Sequence, residues 1–185
     1  MDTADALAEH AALVARIGEL PVDAVARALI AAFENGGRVY TFGNGGSSTD
    51  AAHFAEELVG RFKRERRPLP AQSLSVDASA LTCIANDYSY DEVFERQVRG
   101  FVRADDVVVA FSTSGRSTNV VRGLAAAREL GAATVLFGGG AGGGPAAEHA
   151  DHTLVVPSES TARVQELHVL LLHLILEQVD AWAAG

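Results

Sequence analysis

Val107-Val108-Val109-Ala110-Phe111-Ser112-Thr113-Ser114-Gly115-Arg116-Ser117 decides the fold. Its first five residues are an unbroken β-favouring apolar run, the pattern of a central parallel strand covered on both faces. The run stops in a hydroxyl- and glycine-rich turn, and helical spacing resumes from about residue 118 to 130, with Gly131 as the stop. The same strand–turn–helix order recurs upstream. Arg38–Phe42 reads as a strand, Gly43-Asn44-Gly45-Gly46-Ser47-Ser48 as a turn, and about Thr49 to Val59 as a helix.

Further strands are expected at Gln72–Val76, Thr134–Phe137 and Thr153–Val156, with helices at 78–85, 91–102 and 161–182. Strands alternating with helices imply right-handed βαβ units. The expected architecture is a doubly wound α/β fold, a three-layer αβα sandwich on a five-stranded parallel sheet. Two amphipathic helices precede it, at 4–17 and from Pro21 to about Phe33. The chain reads as one domain over residues 1–185, with a helical arm (1–36) and an α/β core (37–185). The arm's apolar faces need a partner, either the sheet or another subunit.

Composition narrows the function classes. Apolar residues make up 48% of the 185, enough for a real core, and the net charge of −9 disfavours a nucleic-acid partner. The most apolar stretch, Val169–Leu176, is interrupted by His173 and far too short to span a bilayer. The acidic N-terminus is no signal peptide, so a cytoplasmic protein without a membrane partner is expected. The single cysteine, Cys83, excludes an internal disulfide, and its apolar neighbours suggest a buried thiol. The basic stretch Arg61, Lys63, Arg64, Arg66, Arg67 reads as a solvated loop or as a lure for an anionic substrate.

In doubly wound folds, ligands bind beyond the carboxyl ends of the strands, which directs attention to the two turns. In the first, Asn44, Gly45, Gly46 and Ser47 let backbone approach an anion at a helix N-terminus. In the second, Ser112, Thr113, Ser114 and Ser117 supply neutral donors for phosphate oxygens. Capping of the next helix by Ser117 or Thr118 accounts for one of these hydroxyls. Asn86 and Asp87, in a polar turn, offer hydrogen bonds to a polyol. The glycine run Gly138–Gly144 reads as a flexible connection.

His53 and Glu57 lie four apart on the helix after the first turn and therefore share a face. The last helix carries Gln165, His168 and His173 in an apolar context. Gln165 and His173 are separated by roughly 12 Å along the axis and about 80° around it. Aldose–ketose isomerisation needs a base to move a proton between adjacent carbons and an acid or Lewis acid at the oxygen. Glu57 and His173 fit those roles, in either order.

Four segments, GNGGSSTDAAHFAEELVGRF (43–62), ANDYSYDEVF (85–94), FSTSGRSTNV (111–120) and RVQELHVLLLH (163–173), together resemble the phosphoheptose isomerase family of the sugar isomerase (SIS) superfamily. The resemblance covers nearly the whole chain in order. It implies a flavodoxin-like SIS fold and conversion of sedoheptulose 7-phosphate to a heptose 7-phosphate. Substrate would be bound by Asn44, Gly45, Gly46, Ser47, Glu57, Asn86, Asp87, Ser112, Thr113, Ser114, Ser117 and Gln165. Glu57 and His173 would be the catalytic pair, and His53, Glu57, Gln165 and His173 the ligands of one zinc ion per subunit. A homotetramer is also implied, with the N-terminal helices packed between subunits. The chain departs from the family at Ser48, where some members carry histidine, at Arg116, where asparagine is frequent, and at Ala162, where some members have aspartate. Some similar SIS proteins bind a replication initiator without catalysis, and others isomerise other phosphosugars. The presence of His53, Glu57, Gln165 and His173 argues against the first of these.

Overall fold

The strand that decided the reading is the centre of the sheet. In a computed structural model that describes residues 2–185, β3 (Val107–Ser112) is buried along its whole length. It pairs in parallel with β1 (Val39–Gly43) on one side and β4 (Ala133–Gly139) on the other. The strands β2 (Ala71–Ser73) and β5 (His152–Val156) complete a five-stranded parallel sheet in the order β2-β1-β3-β4-β5. The direction of winding reverses between β1 and β3, so the crevice at their carboxyl ends is the switch point of the fold.

Alternate residues of β3 feed two separate cores, as the two-residue period of a strand requires. Val107, Val109 and Phe111 face one side, where α1 (Thr3–Arg16), α2 (Val22–Glu34), α3 (Gly46–Val59) and α7 (Thr161–Ala183) pack. Val108 and Ala110 face the other, under α5 (Val93–Phe101) and α6 (Thr118–Glu129). The three-layer sandwich is as expected. The arm begins with a capping box in which Asp2 and Asp5 exchange bonds, and it buries Leu13, Val25, Leu29 and Phe33 within its own chain. No helix among the described residues is long and apolar enough to cross a membrane.

Several local expectations are corrected. β2 is shorter than 72–76: the Leu74 N–H still donates to the Thr41 carbonyl at 2.7 Å, but the chain turns at Leu74 and Ser75, and the Ser75 hydroxyl bonds to both the N–H and the carbonyl of Gly43. The helix expected at 78–85, α4 (Ala78–Asp87), runs on through Asn86 and Asp87, which occupy its last turn. It lies on the rim with no buried residue, so Cys83 is exposed, not buried. The segment Gly138–Gly144 is not a loose connection. Gly138 and Gly139 finish β4, and a Cβ at Gly115 would collide with the carbonyl of Gly143. The basic stretch is not simply solvated either, since the Arg66 side chain is 1% exposed.

Candidate functional site

At the switch point a cavity of about 310 Å³ opens between the two turns. It is lined by Asn44, Gly45, Gly46, Ser47, Phe111, Ser112, Thr113, Ser114, Ser117, Thr161 and Gln165. Three helices begin there, α3 at Gly46, α6 at Thr118 and α7 at Thr161. None is closed by its own cap, since Gly45 has no side chain and Ser117 and Ser160 make no capping bond. Of the capping expected of Ser117 or Thr118, the N-cap residue Ser117 makes none, which leaves its hydroxyl for the cavity. Three helix N-termini without a side-chain cap turn their positive dipole ends on one space, the chemistry of an anion site. No lysine or arginine lines it.

The cradle is held from behind. Gly45 and Gly115 adopt positive φ (56° and 61°), which lets both turns double back at the strand ends. The N–H of Ala146 donates to the Gly115 carbonyl at 3.0 Å, locking the glycine run beneath the second turn. Across the crevice, Asn44 and Asn119 exchange side-chain bonds of 2.8 and 3.0 Å, and the Tyr90 hydroxyl donates to Asn44 Oδ1 at 2.9 Å. Sequence reasoning did not single out Asn119, Tyr90 or Thr161. Of these, only Asn119 gave a signal, as a polar residue on the apolar face of α6. Asn86 and Asp87 do not line the cavity; they are exposed and bonded to each other at 2.8 Å.

The second cluster lies further along α3 and α7, which run side by side in the same direction. Gln165 lies against Gly46 in the first turn of α3, and His173 lies against His53 two turns on. His53 Nε2 is 3.4 Å from Glu57 Oε1, and the His53 and His173 rings meet edge-on at 5.2 Å. One donor atom from each of His53, Glu57 and His173 lies within 4.8 Å of the other two. Burial, and then the neighbouring His53, lower the pKa of His173 and favour the neutral imidazole. Two imidazoles and a carboxylate converging in this way fit a zinc ion with an open position. Gln165, the fourth expected ligand, lines the cradle.

Of the two histidines on α7, the buried one is His168. It is fully enclosed, and its Nε2 donates to the Gly138 carbonyl at 3.0 Å. That bond fixes the tautomer and leaves Nδ1 bare and unpartnered. Burial pushes its pKa down to about 4.

Comparison with known proteins places the chain in a family. The SIS domain family matches residues 5–139. The phosphoheptose isomerase of Aquifex aeolicus is 49% identical over 156 residues, covering 84% of this chain and 81% of that protein. That of Aliarcobacter butzleri is 44% identical over 174 residues, 92% of each. The solved phosphoheptose isomerase of Neisseria gonorrhoeae superposes with a TM-score of 0.90 at 38% identity over 96% of both chains. A second, from Francisella tularensis, gives 0.91 at 31% identity over 98% of this chain and all of that one. By its match to the SIS domain, its identity to these relatives and the fold it shares with them, the chain belongs to the phosphoheptose isomerase family, isomerases built on the SIS domain.

Proposed function

We propose that this chain interconverts D-sedoheptulose 7-phosphate and D-glycero-D-manno-heptose 7-phosphate. One observation carries the reading: an uncapped phosphate cradle and an acid–base pair lie one substrate length apart on the same two helices. Gly46 and His53 are seven residues apart on α3, about 10 Å along the axis, and at the level of His53 both partners of the pair are at hand, with Glu57 Oε1 3.4 Å from His53 Nε2 and the His173 ring 5.2 Å from the His53 ring. Ordinary covalent bond lengths place C1 of an extended seven-carbon chain roughly 10 Å from a phosphorus on O7. A ketose of that length reaches from the cradle to Glu57 and His173, whereas a triose phosphate falls short.

In this reading, the cradle's N–H groups and the hydroxyls of Ser112, Thr113, Ser114 and Ser117 hold the phosphate, while Asn44 and Gln165 meet sugar hydroxyls. Ser47 would add its hydroxyl at the start of α3, whereas Asn86 and Asp87, which do not line the cavity, have no part in this grip. The Glu57 carboxylate removes a proton from C1 of the ketose and returns it to C2. His173 donates a proton to O2 and recovers one from O1, so the enediol closes to the aldose with no net gain or loss. His53, Glu57 and His173 would hold a zinc ion, with Gln165 as the fourth ligand. When bound, it would polarise the carbonyl as a Lewis acid. The oligomer is a homotetramer in the cytoplasm. In support, Val14 and Leu174 are exposed where they line a groove of about 700 Å³ between the arm and α7, and Leu7 is exposed on the arm.

The test is direct. Purified protein should turn sedoheptulose 7-phosphate into an aldose phosphate detectable by NMR. Glu57→Gln should cut kcat by about 10³-fold or more without altering the sedimentation profile. Undiminished turnover in that variant removes Glu57 from the mechanism, and undiminished turnover after complete removal of metal defeats the zinc assignment.

A further inference from the structure

We infer that the buried Arg66–Asp180 pair is a positioning latch. It fixes the segment between α3 and β2 so that Phe62 stays on the His173 ring and the end of α3 bearing Glu57 stays in register with α7. The inference rests on the isomerase reading above.

The pair is 1% and 3% exposed, with Arg66 Nε donating to Asp180 Oδ1 at 3.1 Å. Both ends do more than pair. The Arg66 guanidinium also donates to the carbonyls of Glu57 (2.6 Å), Leu58 (2.9 Å) and Arg67 (2.9 Å). Glu57 and Leu58 lie in the last turn of α3, where carbonyls lack helical partners and the dipole favours a cation. The other Asp180 oxygen accepts the backbone N–H groups of Arg64 (2.8 Å) and Lys63 (3.3 Å). Lys63 in turn pairs with Glu177 and lies over the Phe62 ring at 5.0 Å.

The product of these ties is the seat of Phe62, whose ring stacks on His173 at 5.4 Å and 24°. One guanidinium therefore holds the main chain of the proposed base. The carboxylate it pairs with holds the two residues that follow the aromatic wall of the proposed acid. Asp180 stands seven residues beyond His173 on α7, two turns away and too far to touch it. A lysine could not reproduce the fork, because its single ammonium cannot reach the carboxylate and two helix carbonyls in one plane. A buried ion pair is a weak source of stability, so its use here is better understood as fixing geometry.

The experiment compares wild type, Asp180→Asn, Arg66→Lys and Phe62→Leu, with steady-state kinetics on sedoheptulose 7-phosphate and NMR of the His173 ring protons. Misplacement by an ångström supports a kcat loss of about 10–100-fold in Asp180→Asn and Arg66→Lys. KM should stay within about threefold, because the cradle is untouched. Phe62→Leu, which leaves the ion pair intact, should lower kcat in the same direction. The His173 resonances should move in Phe62→Leu and also in Asp180→Asn. Wild-type kcat with unmoved His173 resonances overturns the latch, even if the variants are less stable. If the latch variants do not fold, Phe62→Leu decides alone, and full kcat there overturns it. A wild-type chain with no turnover fails the isomerase reading itself, and the latch with it. An active wild type with fully active variants fails the latch only.

Discussion

Asp50 makes the sharpest case for a test of the electrostatics of α3. It is 8% exposed, one turn before His53, and its Oδ2 is buried with no hydrogen-bond partner. Burial pushes its pKa from 3.8 up to about 6, against a smaller opposing pull from His53. A carboxyl raised in this way favours the folded state when protonated. Its contribution is fully present below pH 3.8 and is lost as pH rises through about 6. At about 1.4 kcal/mol per pH unit the interval amounts to about 3 kcal/mol. Water at the partly open side screens some of this and leaves about 1–3 kcal/mol. Asp50→Asn should therefore match wild type near pH 4 and exceed it by that amount at pH 8, or about 2–10 °C in Tm. The assay is urea unfolding of both proteins at one fixed concentration across pH 4–8, read as the difference between them so that other titrations cancel. A difference that stays flat across that range refutes the reasoning.

Three further outcomes follow from the site. Gly115→Ala places a Cβ at φ 61° and against the Gly143 carbonyl. It should cost about 2–4 kcal/mol in urea unfolding and weaken phosphate binding measured by calorimetry. The Cβ of Gly46→Ala first meets the end of the flexible Gln165 side chain, at 2.5 Å, so it should leave stability within about 1 kcal/mol and raise KM for the sugar phosphate. His168, neutral when folded, should cost stability as pH falls from 6.5 to about 4, a loss of about 3 kcal/mol. In His168→Gln that loss should vanish from acid unfolding curves.

The α/β order was legible because β3 is apolar without interruption and its neighbours end in glycine or hydroxyl turns. The two turns were legible as a pair for the same reason. Tertiary placement was not. Cys83 sits among apolar residues, yet α4 lies on the rim, and the run Ala80–Ala85 only half-covers itself against the core. His168 and His173 look alike in sequence. Five positions along a helix rotate one under the sheet beside Phe111 and Phe137 and the other toward α3. Arg66 read as one more basic residue, because its partner, Asp180, is 114 positions away. The glycine run looked floppy because close packing of backbone on backbone leaves no side-chain pattern to read.

The three uncapped helices also bear on how the chain reaches its native state. They start near residues 46, 118 and 161, so the cradle exists only once segments more than a hundred positions apart have docked. Such long-range closure comes late and slowly in folding. An inorganic phosphate ion that recognises only the finished arrangement would act as a reporter of completion. By mass action it would draw the equilibrium toward the native chain, by RT ln(1 + [L]/Kd). Cells rich in phosphate esters would thus protect this protein from unfolding through the same groove proposed to hold its substrate.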